Sequence, residues 1–173
     1  MRLFVAVRPP ERVLDGLVEV TADLRARADL RWVDRTELHV TLCFLGEVPD
    51  DDVPRLVAAL DAAPLPVAEA RMGPAVTRLG RHVLSVPVHG LETLATAVTS
   101  VTAGFGRPPE DRPFNGHVTL ARSRGRRGEV DPSATGAAAE ARWPVTEIVL
   151  VRSRQGQDGH HHDEIRAFRA LEA

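Results

Sequence analysis

The chain has 173 residues and a mass of 18.8 kDa, with 43% hydrophobic and 27% charged residues, which is enough apolar content for one sizeable core and no signature of disorder. A net charge of −2 and a pI near 6.4 exclude attraction of the whole surface to a polyanion, so any nucleic-acid contact has to be a local cleft. The single cysteine, Cys43, excludes an intramolecular disulfide, and no apolar run approaches the roughly 20 residues of a membrane span.

In chain order, "RLFVAV" (2–7) is a short apolar run ended by Pro9 and Pro10 and predicts a buried strand. Val13, Leu17, Val20 and Leu24 then recur at helical spacing. "LRWV" (30–33) and "LHVTLCFL" (38–45) predict two strands joined by "DRTE", and Val53, Leu56, Val57 and Leu60 mark a helix entered through the acidic "PDDD". The first half closes at "APLP" (63–66).

The second half repeats this grammar. Residues 67–77 and "HVLSVPV" (82–88) predict strands, and Leu91, Leu94, Ala95, Val98, Val101 and Phe105 form an apolar helical stripe. "FNGHVTLAR" (114–122) and "VTEIVLVRS" (145–153) predict two more strands, separated by a Gly-, Arg- and Ala-rich insert, Ser123 to Arg142, expected to be a surface loop. Each half thus carries one H-x-T strand. Such duplication predicts two similar lobes related by an approximate two-fold axis, with the histidines meeting across the groove.

Side chains at i and i+2 of a strand share a face, so His39 and Thr41 point one way, as do His117 and Thr119, while the valines and leucines between them pack the other way. Two facing imidazoles are suited to general acid-base catalysis near neutral pH, one accepting a proton and one donating it. Two threonine hydroxyls beside them would complete a site for one tetrahedral phosphate. A strained ester such as a ribose 2′,3′-cyclic phosphate matches that equipment, because positioning and proton transfer suffice for its opening. No cofactor or metal is required.

"HVTLCFLG" and "HVTLAR", in that order and spacing, preceded by "RLFVAV" and "LRWV" and with "RPF" just before the second motif, resemble the 2H phosphoesterase superfamily. Within it, the likeness is to the RNA 2′,3′-cyclic phosphodiesterases, also called 2′-5′ RNA ligases. It covers nearly the whole chain as a single domain, 1–173. The resemblance implies an α+β, bilobal fold of two pseudo-symmetric lobes, each with an antiparallel sheet and outer helices, and an active cleft between them. It implies metal-independent opening of the cyclic ester to a 2′-phosphate, with 2′-5′ ligation as a reverse-type activity. His39 and His117 would share the acid and base roles in an order the sequence leaves open, and Thr41 and Thr119 would hold the phosphate. Arg122 sits where the family carries arginine, as a phosphate ligand or a structural residue. Strict alternation puts it on the face opposite His117, so a phosphate role requires a bulge or a long reach.

Cys43 falls on the nominal face of His39 and is expected to be a small buried hydrophobe, and Phe44 falls off that face and is expected in the core. The C-terminal "RQGQDGHHHDEIRAFRAL" departs from the family pattern, with His162 standing where a tyrosine is usual. His160, His161 and His162 resemble a metal tract, but alternation sends His161 away from the other two, and a solvated loop or strand edge is expected. His82 and His89 are expected at the surface without partners. The implied partner is RNA with a 2′,3′-cyclic phosphate end, or a cyclic nucleotide, bound by a cytoplasmic monomer with no membrane contact. Competing readings are a 2H enzyme for another nucleotide, such as a 2′-5′ oligoadenylate or a cyclic ADP-ribose phosphate, a non-catalytic RNA-end binding module, and a metal-dependent hydrolase built on His39, His117 and the tail histidines.

Overall fold

A computed structural model of the chain describes residues 1–108, 112–124, 128–156 and 159–170, the side chains of 159 and 160 excepted. It is a mixed α+β fold in which strands β1 (Arg2–Val7), β3 (Val40–Glu47), β9 (Glu147–Gly156) and β10 (Gly159–Arg169) form one run of sheet, ordered β10-β9-β1-β3. Strands β4 (Ala68–Met72), β6 (Val83–His89), β7 (His117–Ser123) and β8 (Ala141–Val145) form a second, ordered β7-β6-β4-β8. The short β2 (Leu30–Trp32) and β5 (Thr77–Leu79) pair with β7 and β6. All these pairings are antiparallel, and the two runs meet where Val40 of β3 pairs with Val118 of β7.

The two runs mirror each other, β3 answering β7, β1 answering β6, β9 answering β4 and β10 answering β8. They do not follow the halves of the sequence. The C-terminal strands β9 and β10 complete the sheet begun by β1 and β3, because β9 pairs with β1 along Leu3 to Ala6. "LRWV" and "LHVTLCFL", neighbours in the sequence, do not pair with each other, since β2 adds to β7 and leaves β3 to β1.

Each apolar periodicity finds its face. Helix α1 (Glu11–Val20) buries Val13, Leu14 and Leu17, and α2 (Ala22–Arg27) buries Leu24. Helix α3 (Val53–Ala62) buries Leu56 and Leu60, with Pro54 in its first turn where a missing N–H is harmless. Helix α4 (Glu92–Thr102) buries Leu94, Ala95 and Val98 and packs on β3. Together with the even-numbered residues Leu84, Val86 and Val88 of β6 and with Val118 and Leu120 of β7, these side chains form one continuous core. The sheet face away from it is left for the polar residues of the H-x-T strands.

The described part of the insert after β7 packs against the core where its composition suggests a loop. Val130, Ala134 and Ala139 are buried, Ala75 bridges Ala138, and the last residues of the insert are already in β8. Small alanines pack there without needing a long apolar run, which is why a periodicity reading takes the segment for a loop.

Candidate active site

Extending the Val40–Val118 pair by one residue each way sets His39 opposite Thr119 and Thr41 opposite His117, all four on the face away from the core. The two histidines are then diagonal neighbours roughly 7–8 Å apart, with their Cβ atoms somewhat closer, so that both rings are within reach of one tetrahedral phosphate. The crossed pairing is a direct consequence of joining two copies of the same motif antiparallel.

Both imidazoles are held alike. The Nδ1–H of His39 donates to the Glu37 carbonyl at 2.7 Å, and that of His117 donates to the Asn115 carbonyl at 2.8 Å. A carbonyl only accepts, so Nδ1 must carry the proton in each ring, leaving Nε2 to exchange protons with a ligand. Among the described residues, neither the Thr41 nor the Thr119 hydroxyl has a hydrogen-bond partner within the chain. Their bonding capacity is therefore available to a ligand or water.

The backbone around each histidine is built for this. Before His39, Asp34 accepts hydrogen bonds from the N–H (2.9 Å) and hydroxyl (2.6 Å) of Thr36, closing the 3-10 turn Arg35–Glu37, and Arg35 ties that turn to α1 through Glu11 and Asp15. Before His117, a Cβ on Gly116 would lie 2.3 Å from the Val88 carbonyl, so only glycine lets β7 approach β6 this closely. The stretch "FNGH" carries that signal in the sequence, though a lone glycine there is easily read as a simple turn.

The surroundings of the two rings differ. His39 is half-buried, stacked on Phe4 with centroids 4.9 Å apart, and meets the edge of His162 at 5.1 Å. His162 lies on the cleft face of β10, where its Nδ1 is 2.5 Å from a Glu37 carboxylate oxygen and its backbone N–H donates to the other at 3.3 Å. Burial, opposed in part by the bond to Glu37 and reinforced by the charges of His162, Arg8 and His117, lowers the pKa of His39 from 6.5 to about 4. His39 is therefore neutral near pH 7. His162 is the site neighbour that sequence reasoning left at a strand edge; period-2 counting separated it correctly from the exposed His161 but gave no view of what it meets across β9 and β1. The side chain of His160 lies outside the described residues.

Two bulges correct the face assignments. In β3 the register with β1 shifts between Thr41 and Cys43, leaving Leu42 unmatched, so Cys43 pairs with Val5 on the core side and Phe44 pairs with Phe4 on the cleft side. Cys43 lies 3.7 Å from the Thr102 hydroxyl under α4, while Phe44 is 38% exposed with Arg2 over its ring at 5.1 Å. The same shift occurs in β7, where Leu120 is unmatched and Arg122 pairs with Val83 on the face of Thr119 and Ser85. Strict alternation fails at the same place in both motifs, because an extra residue in one strand reverses every face beyond it. Phe44 and Arg122 thus occupy equivalent positions, one on each side of the quartet. Burial and the facing Arg31 disfavour the charge on Arg122, and among the described residues it has no carboxylate or hydrogen-bond partner.

His82 does have partners, the Gly128 carbonyl at 2.7 Å and the Ser123 hydroxyl at 3.3 Å, whereas His89 is exposed. Among the described residues, no three His, Cys, Asp or Glu side chains converge as metal ligands, and no helix is long and apolar enough to cross a membrane.

Known proteins share this sequence pattern and this fold. The family model "LigT like Phosphoesterase" matches residues 7–73 and 84–159. The chain is 31% identical to an RNA 2′,3′-cyclic phosphodiesterase of Thermus thermophilus, over 97% of this chain and 89% of that protein. It is 27% identical to one of Archaeoglobus fulgidus, over 97% and 99%. Among solved structures, TT0787 of Thermus thermophilus superposes with a TM-score of 0.82 at 28% identity, covering 99% of both chains. Escherichia coli LigT in complex with 3′-AMP does so with a TM-score of 0.79 at 25% identity, covering 99% of this chain and 98% of that one. With a family match across most of its length and a relative above 30% identity, the chain belongs to the LigT-like phosphoesterases.

Proposed function

We propose that this chain hydrolyses RNA 2′,3′-cyclic phosphate ends to 2′-phosphates, with His39 as the proton acceptor and His117 as the donor. Neutral His39 takes a proton from water through Nε2 as the water oxygen bonds to phosphorus. The P–O3′ bond breaks, and His117 delivers its Nε2 proton to the departing oxygen, giving a 2′-phosphate and a 3′-hydroxyl. Thr41 and Thr119 donate to the non-bridging oxygens, and Arg122 adds a charge-assisted contact. Phe44 offers an aromatic surface to the base. With a 5′-hydroxyl replacing water, the same proton transfers would give a 2′-5′ linkage, and the two histidines would exchange roles in the reverse direction.

The observation that carries this reading is the matched anchoring of the two rings by the carbonyls of Glu37 and Asn115, which leaves the Nε2 atom of each ring for proton transfer. The activity printed for the relatives supports the choice of substrate. The test is to incubate the protein with cyclic-phosphate-ended RNA, 2′,3′-cyclic AMP and a 2′-5′ oligoadenylate, following products by phosphorus NMR. A 2′-phosphate from the cyclic substrates is expected. Turnover of the oligoadenylate alone, or a 3′-phosphate product, would overturn the assignment.

A further inference from the structure

Arg71 of β4 pairs with Arg142 of β8 on one side and His89 of β6 on the other. Residues directly opposite in antiparallel strands share a face, so three basic side chains stand in one row. Pro87 of β6 pairs with His117, and His89 is two residues further along the same strand, so the row lies on the sheet face of His117. One two-residue step along the strand and two strand spacings across put the Cα of Arg71 roughly 12 Å from that of His117. With Gly73, Pro74 and Glu140, the row lines a cavity of about 460 Å³.

Like charges set directly opposite across strands destabilise a sheet. Here the counter-charge is incomplete. Arg142 is 3.7 Å from Glu69, but both side chains are largely exposed, at 72% and 61%. Among the described residues, Arg71 and His89 have no hydrogen bond or ion pair. A local rule broken without internal compensation is expected where a ligand supplies the missing partner.

We propose that the Arg71–His89–Arg142 row is a phosphate subsite for the RNA chain preceding the cyclic end, so that the preferred substrate is an oligonucleotide rather than a mononucleotide. The inference rests on the function proposed above. A cyclic end held at His39 and His117 leaves its 5′-linked phosphodiesters to run across the same sheet face, and guanidinium groups along a groove are what track a single-stranded backbone. The two carboxylates at the margin, Glu69 and Glu140, limit the path to the strip between them.

The experiment compares kcat/KM for a cyclic-phosphate-ended oligoribonucleotide with that for a 2′,3′-cyclic mononucleotide, in the unmodified protein, Arg71→Ala, Arg71→Lys and Arg71→Ala/Arg142→Ala. The oligonucleotide-to-mononucleotide ratio should fall roughly three- to fivefold in the single alanine variant and about tenfold in the double, as for loss of exposed ion pairs, with Lys retaining most of it. Binding of a single-stranded oligoribonucleotide, measured across salt concentrations, should lose about 0.7 of logarithmic slope per phosphate contact removed. Melting temperatures should hold or rise, since like-charge contacts are relieved. An unchanged ratio and salt slope in the double variant would overturn the subsite. The binding arm keeps the question separate from turnover, because a protein that hydrolyses neither substrate would refute the proposed function while the salt slope still decides the subsite.

Discussion

Acidification tests the environment of His39 without reference to activity. In the folded protein its pKa is lowered to about 4, against 6.5 ordinarily, chiefly by burial against Phe4 and His162. A lowered value means that the unfolded chain binds this proton more readily than the folded one. The contribution is therefore fully present above pH 6.5 and is lost as the pH falls from there through about 4. At about 1.36 kcal/mol per pH unit the limit is about 3 kcal/mol, and about 2 kcal/mol is expected near pH 4.5 once the wet edge of the cleft is allowed for. The assay is urea unfolding near pH 7.5 and near pH 4.5 for the unmodified protein and for His39→Asn, whose side-chain amide can replace the Nδ1–H donor to the Glu37 carbonyl but does not titrate. Other acid-sensitive groups cancel in this comparison, including Asp34 and Asp131, whose carboxyls are held low by hydrogen bonds from Thr36 and Ser133. The unmodified protein should lose about 2 kcal/mol more than the variant over this interval. Equal losses, or a His39 imidazole that titrates by NMR near 6.5, would refute the buried, neutral histidine.

With His39 as acceptor, kcat/KM should survive mild acidification and fall only as the pH approaches about 4, where the base becomes charged; an acid limb centred near 6.5 would count against that role. His39→Ala and His117→Ala should each cost about 10²-fold or more in rate, and the double variant less than the product, while Thr41→Ala or Thr119→Ala should cost less than either histidine. Near-normal turnover by a folded histidine variant would remove the two-histidine mechanism. Gly116→Ala forces β7 away from the Val88 carbonyl, which should cost about 1–3 kcal/mol in unfolding free energy and lower kcat; unchanged stability would mean that β6 yields freely. Turnover should persist in EDTA, because two imidazoles, two hydroxyls and a guanidinium can complete the chemistry; activity lost to the chelator and restored by zinc or manganese would make some of these histidines ligands.

Seven of the strands, three helical stretches and the facing of the two H-x-T motifs were legible in the chain because they are local: alternation and the 3.6-residue period are written in consecutive residues, and both motifs put His and Thr on one polar face; the break of the first helical stretch into α1 and α2, and strands β5, β8 and β10, were not. The family and its α+β architecture were legible for the same reason, the diagnostic residues being contiguous. What the tertiary structure decided was everything that depends on register between distant segments. The bulges at Leu42 and Leu120 arise from pairing with β1 and β6, and they carried Phe44 and Arg122 to the cleft and Cys43 to the core against strict alternation. His162 reached His39 only because β10 pairs with β9, and β9 with β1. The row of Arg71, His89 and Arg142 exists only as three strands laid side by side. A one-residue shift in any of these ladders would turn the side chains to the other face, and the free energy that sets the ladder comes from burying Leu84, Val86, Val118 and their neighbours in a core assembled from the whole chain.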